Sequence, residues 1–196
     1  MHPAYDLLPE EMRSQAFIAG GYAACPALAS DVDLWVYVPQ DDDATQDEDA
    51  TLDDARRQIL TRLKAENAGW VVEPEDESQT TPVDRCGYDN LAVSVRRVGR
   101  VQYCREKLPI HIMVVDAPVC VVLQTFDIST HQIALTPDGD TVRGPEWTPL
   151  SESPVQLRDT PNTAARMEKI RARYAHLAKV KTPTPVQSIF DFERLT

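Results

Sequence analysis

Two carboxylates two positions apart, Asp31 and Asp33, open the most β-rich run in the chain, DVDLWVYV from Asp31 to Val38. Side chains alternate faces along a strand, so Asp31 and Asp33 project to the same side. Two carboxylates on one face can share a divalent cation, and Mg²⁺ favours such oxygen ligands together with substrate phosphates. Shortly before them, Gly20-Gly21 follows the apolar run Phe17-Ile18-Ala19. Residues without a Cβ let backbone N–H groups come close to phosphate oxygens. A glycine pair alone is usually a turn, and an isolated Asp-x-Asp is usually a solvated strand end. Together, at this spacing and ahead of a hydrophobic strand, they point to phosphoryl transfer from a nucleotide. A cation held there would orient an attacking oxygen and neutralise the leaving pyrophosphate.

The elements that must position these residues follow from patterning. A first helix is expected over Leu7–Phe17, with Leu7, Leu8, Met12 and Phe17 facing inward. Phe17–Ala19 reads as a short buried strand, Tyr22–Leu28 as a short helical segment and Asp31–Val38 as a strand bounded by Ser30 and Pro39. The acidic stretch Pro39–Ala50 lacks periodicity and reads as a loop. A helix should run from Leu52 to Asn67, capped by Thr51 with Asp54 and carrying Leu52, Ile59, Leu60 and Leu63 as its stripe. Gly69 should end it, Trp70–Val72 should be a strand, and Glu73–Asp84 a polar loop. Strands are expected at Leu91–Val98 and Pro109–Val115, with Gly99-Arg100 turning between them or VQYCREK extending either one. Pro118–Phe126 reads as a short helix, His131–Leu135 as a last strand, and Pro137-Asp138-Gly139 as a turn. Thr160-Pro161 opens a helix with Ala164, Met167, Ile170, Tyr174 and Leu177 at helical spacing through Lys179. The expected fold is α/β or α+β, a mixed sheet flanked by helices. Residues 1–150 would form the domain and residues 151–196 a helical extension packed on it.

The chain has 196 residues, 42% of them apolar, and a formal net charge of −11. That balance argues against a polynucleotide as the obvious partner, since phosphate-bound proteins are usually basic. The charge is uneven: acids crowd Asp41–Asp54, whereas Arg166, Lys169, Arg171, Arg173, Lys179 and Lys181 make the C-terminal part basic. That basic helix could touch an acceptor RNA, although charges opposite an apolar stripe are what any surface helix shows. Cys25, Cys86, Cys104 and Cys120 have neither zinc-ligand spacing nor a disulfide framework, and read as buried free thiols. No apolar run approaches the ~20 residues of a membrane span, and the N-terminus does not read as a signal peptide. A cytoplasmic protein is expected, with no membrane partner.

The segment Ile18–Val38, IAGGYAACPALASDVDLWVYV, resembles the signature of the DNA polymerase β-like nucleotidyltransferase superfamily. There, a Gly-Gly or Gly-Ser turn precedes two acids, spaced by one residue, on a strand. A second patch, LQTFDISTHQIAL from Leu123 to Leu135, looks like the head-domain motif of poly(A) and CCA-adding enzymes, in which a short helix ends in a polar motif before a strand. The order of these features is similar to that of small stand-alone nucleotidyltransferase-like proteins, several of them from viruses and phages, which would place the chain in a host cytoplasm. The resemblance covers Phe17 to Gly139 and implies a nucleotidyltransferase fold. It implies transfer of a nucleoside monophosphate from an NTP to an acceptor hydroxyl, on an RNA 3′ end, a protein or a small molecule, with release of pyrophosphate. Asp31 and Asp33 would bind Mg²⁺ or Mn²⁺, Gly20, Gly21 and Ser30 would hold the nucleotide, and Asp127 would join the catalytic set. The family's third carboxylate comes from a neighbouring strand, here PIHIMVVD, whose middle position is His111. Asp116 lies at that strand's far end with opposite parity, so Asp127 ranks above it. Asp127 could ligate a metal, bind a ribose hydroxyl or cap local backbone. The departure at His111 keeps a second reading open, an inactive binding or regulatory module with the same fold.

Overall fold

The computed structural model describes residues 2–39, 48–65, 70–73, 93, 95–103, 108–159 and 163–179. Among these, seven strands form one mixed sheet: β1 (Ala16–Ala19), β2 (Val32–Tyr37), β3 (Trp70–Glu73), β4 (Val95–Tyr103), β5 (Pro109–Val115), β6 (Ile133–Leu135) and β7 (Thr141–Arg143). Their spatial order is β3-β4-β5-β2-β1-β6-β7. Only β2 and β5 pair in parallel, and the other neighbours are antiparallel. The architecture is α+β.

β2 sits in the middle because both of its faces are covered. Val32, Leu34 and Val36 point to one face and join the core under α3 (Glu48–Ala65). Leu52, Ala55, Ile59 and Leu63 supply the helix's buried stripe at near-helical spacing. Burying each of the larger ones contributes roughly 1.5–3 kcal/mol. Asp33 and Trp35 take the opposite face, where Phe17, Met113 and Val115 pack under α4 (Val119–Gln124) through Val122 and Leu123. Tyr5 locks the N-terminal segment across β1 and β6: its hydroxyl donates to the Leu135 carbonyl at 2.7 Å and accepts from the Ile18 N–H at 3.2 Å. Burial pushes this phenol up to about 12, against the opposing hydrogen bond from Ile18.

Several sequence expectations are corrected. The single helix over Leu7–Phe17 is replaced by a 3-10 turn (Pro3–Leu7), a short α1 (Glu10–Arg13) and β1. Pro9 has no N–H and drives Leu8 to an extended ψ of 151°. α3 begins at Glu48, so Thr51 lies inside the helix and caps nothing. Gly99 does not turn the chain; β4 runs through it with a bulge between Arg97 and Gly99. His131 is not on a strand. It ends a 3-10 turn (Ser129–His131); its N–H donates to the Ile128 carbonyl, and the Gln132 N–H donates to the Ser129 carbonyl. β6 is not the last strand either, because the turn at Pro137–Gly139 returns the chain as β7. Cys120 is exposed and Cys25 half-buried, both free.

α2 (Gly21–Ala24) and the 3-10 turn Pro26–Leu28 divide the helical segment expected over Tyr22–Leu28. α5 (Thr163–Lys179) packs Met167 and Ile170 on Ile128, while Ala164 is exposed and Thr163 is buried in its place. Much of the expected loops (40–47 and 74–84), Gly69, Leu91, Cys86, Cys104, Thr160-Pro161 and the side chains of Arg96, Arg97, Tyr174 and Leu177 lie outside the described residues. Among the described residues no helix is long and apolar enough to cross a membrane.

Candidate functional site

The site is built around the end of β1. Gly20 has φ 78° and ψ −139°, a region that L side chains rarely adopt. This backbone lets the chain leave the sheet and start α2 at once. The Gly20 N–H donates to the Ile133 carbonyl at 3.1 Å, and its carbonyl accepts from Ala24 at 2.9 Å. Gly20 therefore contributes a bend, and its own N–H is used to tie β1 to β6. A Cβ there would stand 3.6 Å from Asp33 Oδ2 and 3.7 Å from Phe126. Gly21 is helical, and a Cβ on it would come within 4.0 Å of the His131 ring.

Asp31 lies one residue ahead of β2 and Asp33 within it. Ser30 Oγ donates to Asp31 Oδ1 at 3.2 Å, which orients that carboxylate. Below them Trp35 stacks on Phe17 with ring centroids 6.4 Å apart and leans on Phe126 at 6.1 Å.

Gly20, Gly21, Ser30, Asp31, Asp33 and Asp127, all singled out from the sequence, line one cleft of about 220 Å³. Asp127 enters it from the end of α4. It is 3% exposed, accepts from Thr163 Oγ1 at 2.9 Å and faces Arg166 Nη1 at 2.8 Å. Its carboxylate is thereby committed to the start of α5. The backbone is engaged as well, the Asp127 carbonyl accepting from the Leu157 N–H at 2.8 Å.

The sheet register sets His111 directly beside Asp33, on the same face and one strand further out than the cleft lining. Asp116 follows the end of β5, about 17 Å along the strand from His111 at ~3.3 Å per residue. The site therefore excludes Asp116. Among the described residues, no group of three or more His, Cys, Asp and Glu is gathered as a metal cage. Asp31 and Asp33 both line the cleft from the sheet side.

Sequence reasoning missed one component of the cleft and did not place a second one there. His131, released from the strand by its 3-10 turn, forms part of the lining. Burial, then the charge of Arg166 and more weakly Arg173, pushes its imidazole down to about 4 against the opposing pull of Asp127 and Asp31. It is neutral at pH 7, offering one donor and one acceptor. No local pattern marks it. The second component is the basic wall Arg166, Lys169 and Arg173, delivered by α5. Here a signal existed: positions i, i+3 and i+7 fall on one helical face. Nothing local said that this face would turn inward. The chain matches no protein-family model, no curated protein and no solved structure.

Proposed function

We propose that this protein is a metal-dependent nucleotidyltransferase that moves a nucleoside monophosphate from an NTP to an acceptor hydroxyl. The observation supporting it is that Asp31 and Asp33 open onto the same cleft as the Gly20-Gly21 bend and a cationic wall. Mg²⁺ or Mn²⁺, when bound, supplies charge neutralisation at the phosphates. The chain's own part is positioning. Asp31, oriented by Ser30, and Asp33 would present oxygens to the cation. The neutral His131 can hydrogen-bond a phosphate or hydroxyl oxygen without adding charge. The fold then counts as a nucleotidyltransferase fold, and the resemblance of Ile18–Val38 and Leu123–Leu135 to that superfamily is a second support.

The test is pyrophosphate release from each NTP with Mg²⁺ or Mn²⁺ and a panel of acceptors. Asp31→Asn and Asp33→Asn should each lower turnover by about 100-fold or more, the scale of losing a preorganised electrostatic group. Unchanged turnover in either variant defeats the proposal. One observation favours the second reading, a binding module of the same fold: Asp127 is occupied by Thr163 and Arg166. NTP binding with no pyrophosphate release across the panel would select that module.

A further inference from the structure

We infer that α5 is the polyphosphate-binding element of the cleft, with Lys169 and Arg173 taking non-bridging oxygens of a di- or triphosphate and Arg166 positioned beside them by Asp127. The inference deepens the proposed function by assigning the phosphate chain of its substrate, and it rests on that reading only for the nucleoside part.

The argument begins with charge. Three acids, Asp31, Asp33 and Asp127, and three cations, Arg166, Lys169 and Arg173, line the cleft. Arg166 and Asp127 form an ion pair at 2.8 Å. Lys169 and Arg173 make no ion pair with another described residue. Around the cleft the charges are segregated by element, with Asp31 and Asp33 on the sheet side and Lys169 and Arg173 on the helix side. A lone anion would be repelled from the sheet side, and a lone cation from the helix side. A polyanion carried with a divalent cation satisfies both.

Geometry makes the helix side a built surface. Met167 and Ile170 pack on Ile128 and set the roll of α5. Thr163 and Arg166 are fastened to the buried Asp127. With the first turns fixed, positions 166, 169 and 173 stay on the cleft side through helical periodicity. Cationic side chains on a rigid element lose less freedom on gripping phosphate than they would on a loop. Gly20 spends its N–H on Ile133, so the bend cannot supply that donor to a phosphate.

The experiment is calorimetric titration of the full chain with inorganic pyrophosphate and tripolyphosphate, with and without Mg²⁺, at two salt concentrations. Wild type should bind both at millimolar concentration or better without metal, more tightly with it. The double variant Lys169→Gln/Arg173→Gln should lose at least about tenfold in metal-free affinity and show a shallower salt dependence. Asp31→Asn/Asp33→Asn should lose the Mg²⁺ enhancement and keep the metal-free binding. Equal metal-free affinity in wild type and Lys169→Gln/Arg173→Gln overturns the inference. So does absence of pyrophosphate binding by wild type, or loss of binding to a short RNA oligonucleotide with pyrophosphate affinity unchanged. Pyrophosphate binding that depends on α5, in a protein with no NTP turnover, upholds this inference while the transfer reading fails.

Discussion

Gly20 and Gly21 look equivalent in the sequence but carry different physical demands. Gly20 holds φ 78° and ψ −139°, whereas Gly21 is an ordinary helical residue with 4.0 Å of room before the His131 ring. Gly20→Ala should therefore cost about 1–3 kcal/mol of stability. Gly21→Ala should be neutral or slightly stabilising, because alanine is the better helix former. Urea unfolding of the two variants checks this, and equal losses would refute it. His131 carries a pH signature. Its folded-state value is pushed from 6.5 to about 4, so between those limits the unfolded chain holds a proton that the folded chain lacks. Stability from this group is complete above pH 6.5, falls as the pH drops and levels off below about 4. From pH 7.5 to pH 5 the wild type should lose about 2 kcal/mol more than His131→Gln, at ~1.4 kcal/mol per pH unit. Parallel pH profiles for the two proteins would show that His131 is not held neutral.

At the scale of elements, α5 depends on one buried carboxylate. Asp127 receives Thr163 and Arg166 at 2.9 and 2.8 Å, and the adjacent apolar patch is small, Ile128 with Met167 and Ile170. Asp127→Asn keeps the shape and removes the charge. Arg166 is half-exposed at 50%, so water can recover part of its solvation, and the expected cost is about 1–3 kcal/mol. The loss should be local. Hydrogen exchange in α5 should accelerate while β2 and β5 keep their protection, and uniform acceleration through the sheet would contradict this. The same substitution should weaken pyrophosphate binding by disordering the basic wall. β2 behaves differently, because it is paired on both edges and covered on both faces. Asp33 consequently stands on a strand held from every side, with Asp31 one residue before it.

For the molecule as a whole, the net charge of −11 describes the surface far from the cleft better than the cleft itself, where cations and acids are equal in number. The sequence alone determined the strands β1, β2 and β5, the stripe of α3 and the face shared by Asp31 and Asp33. Those follow from local periodicity and from the poor fit of glycine and proline inside regular elements. It also brought forward Gly20 and Gly21 through their missing Cβ atoms, and Ser30 and Asp127 through the resemblance of their segments to a known signature. The bulge at Gly99 and the extra strand β7 depended on pairing partners distant in the chain, whereas the break at Pro9 is local proline chemistry. Only the tertiary structure decided that α5 lies over the cleft, that Arg166, Lys169 and Arg173 face Asp31 and Asp33, and that Asp127 fastens this helix. The physical reason is that an amphipathic helix specifies which side is buried, while what it is buried against depends on the few non-local contacts that dock it. His131 is the clearest instance: its neutral state comes from burial and neighbouring charges that chain folding alone brings together.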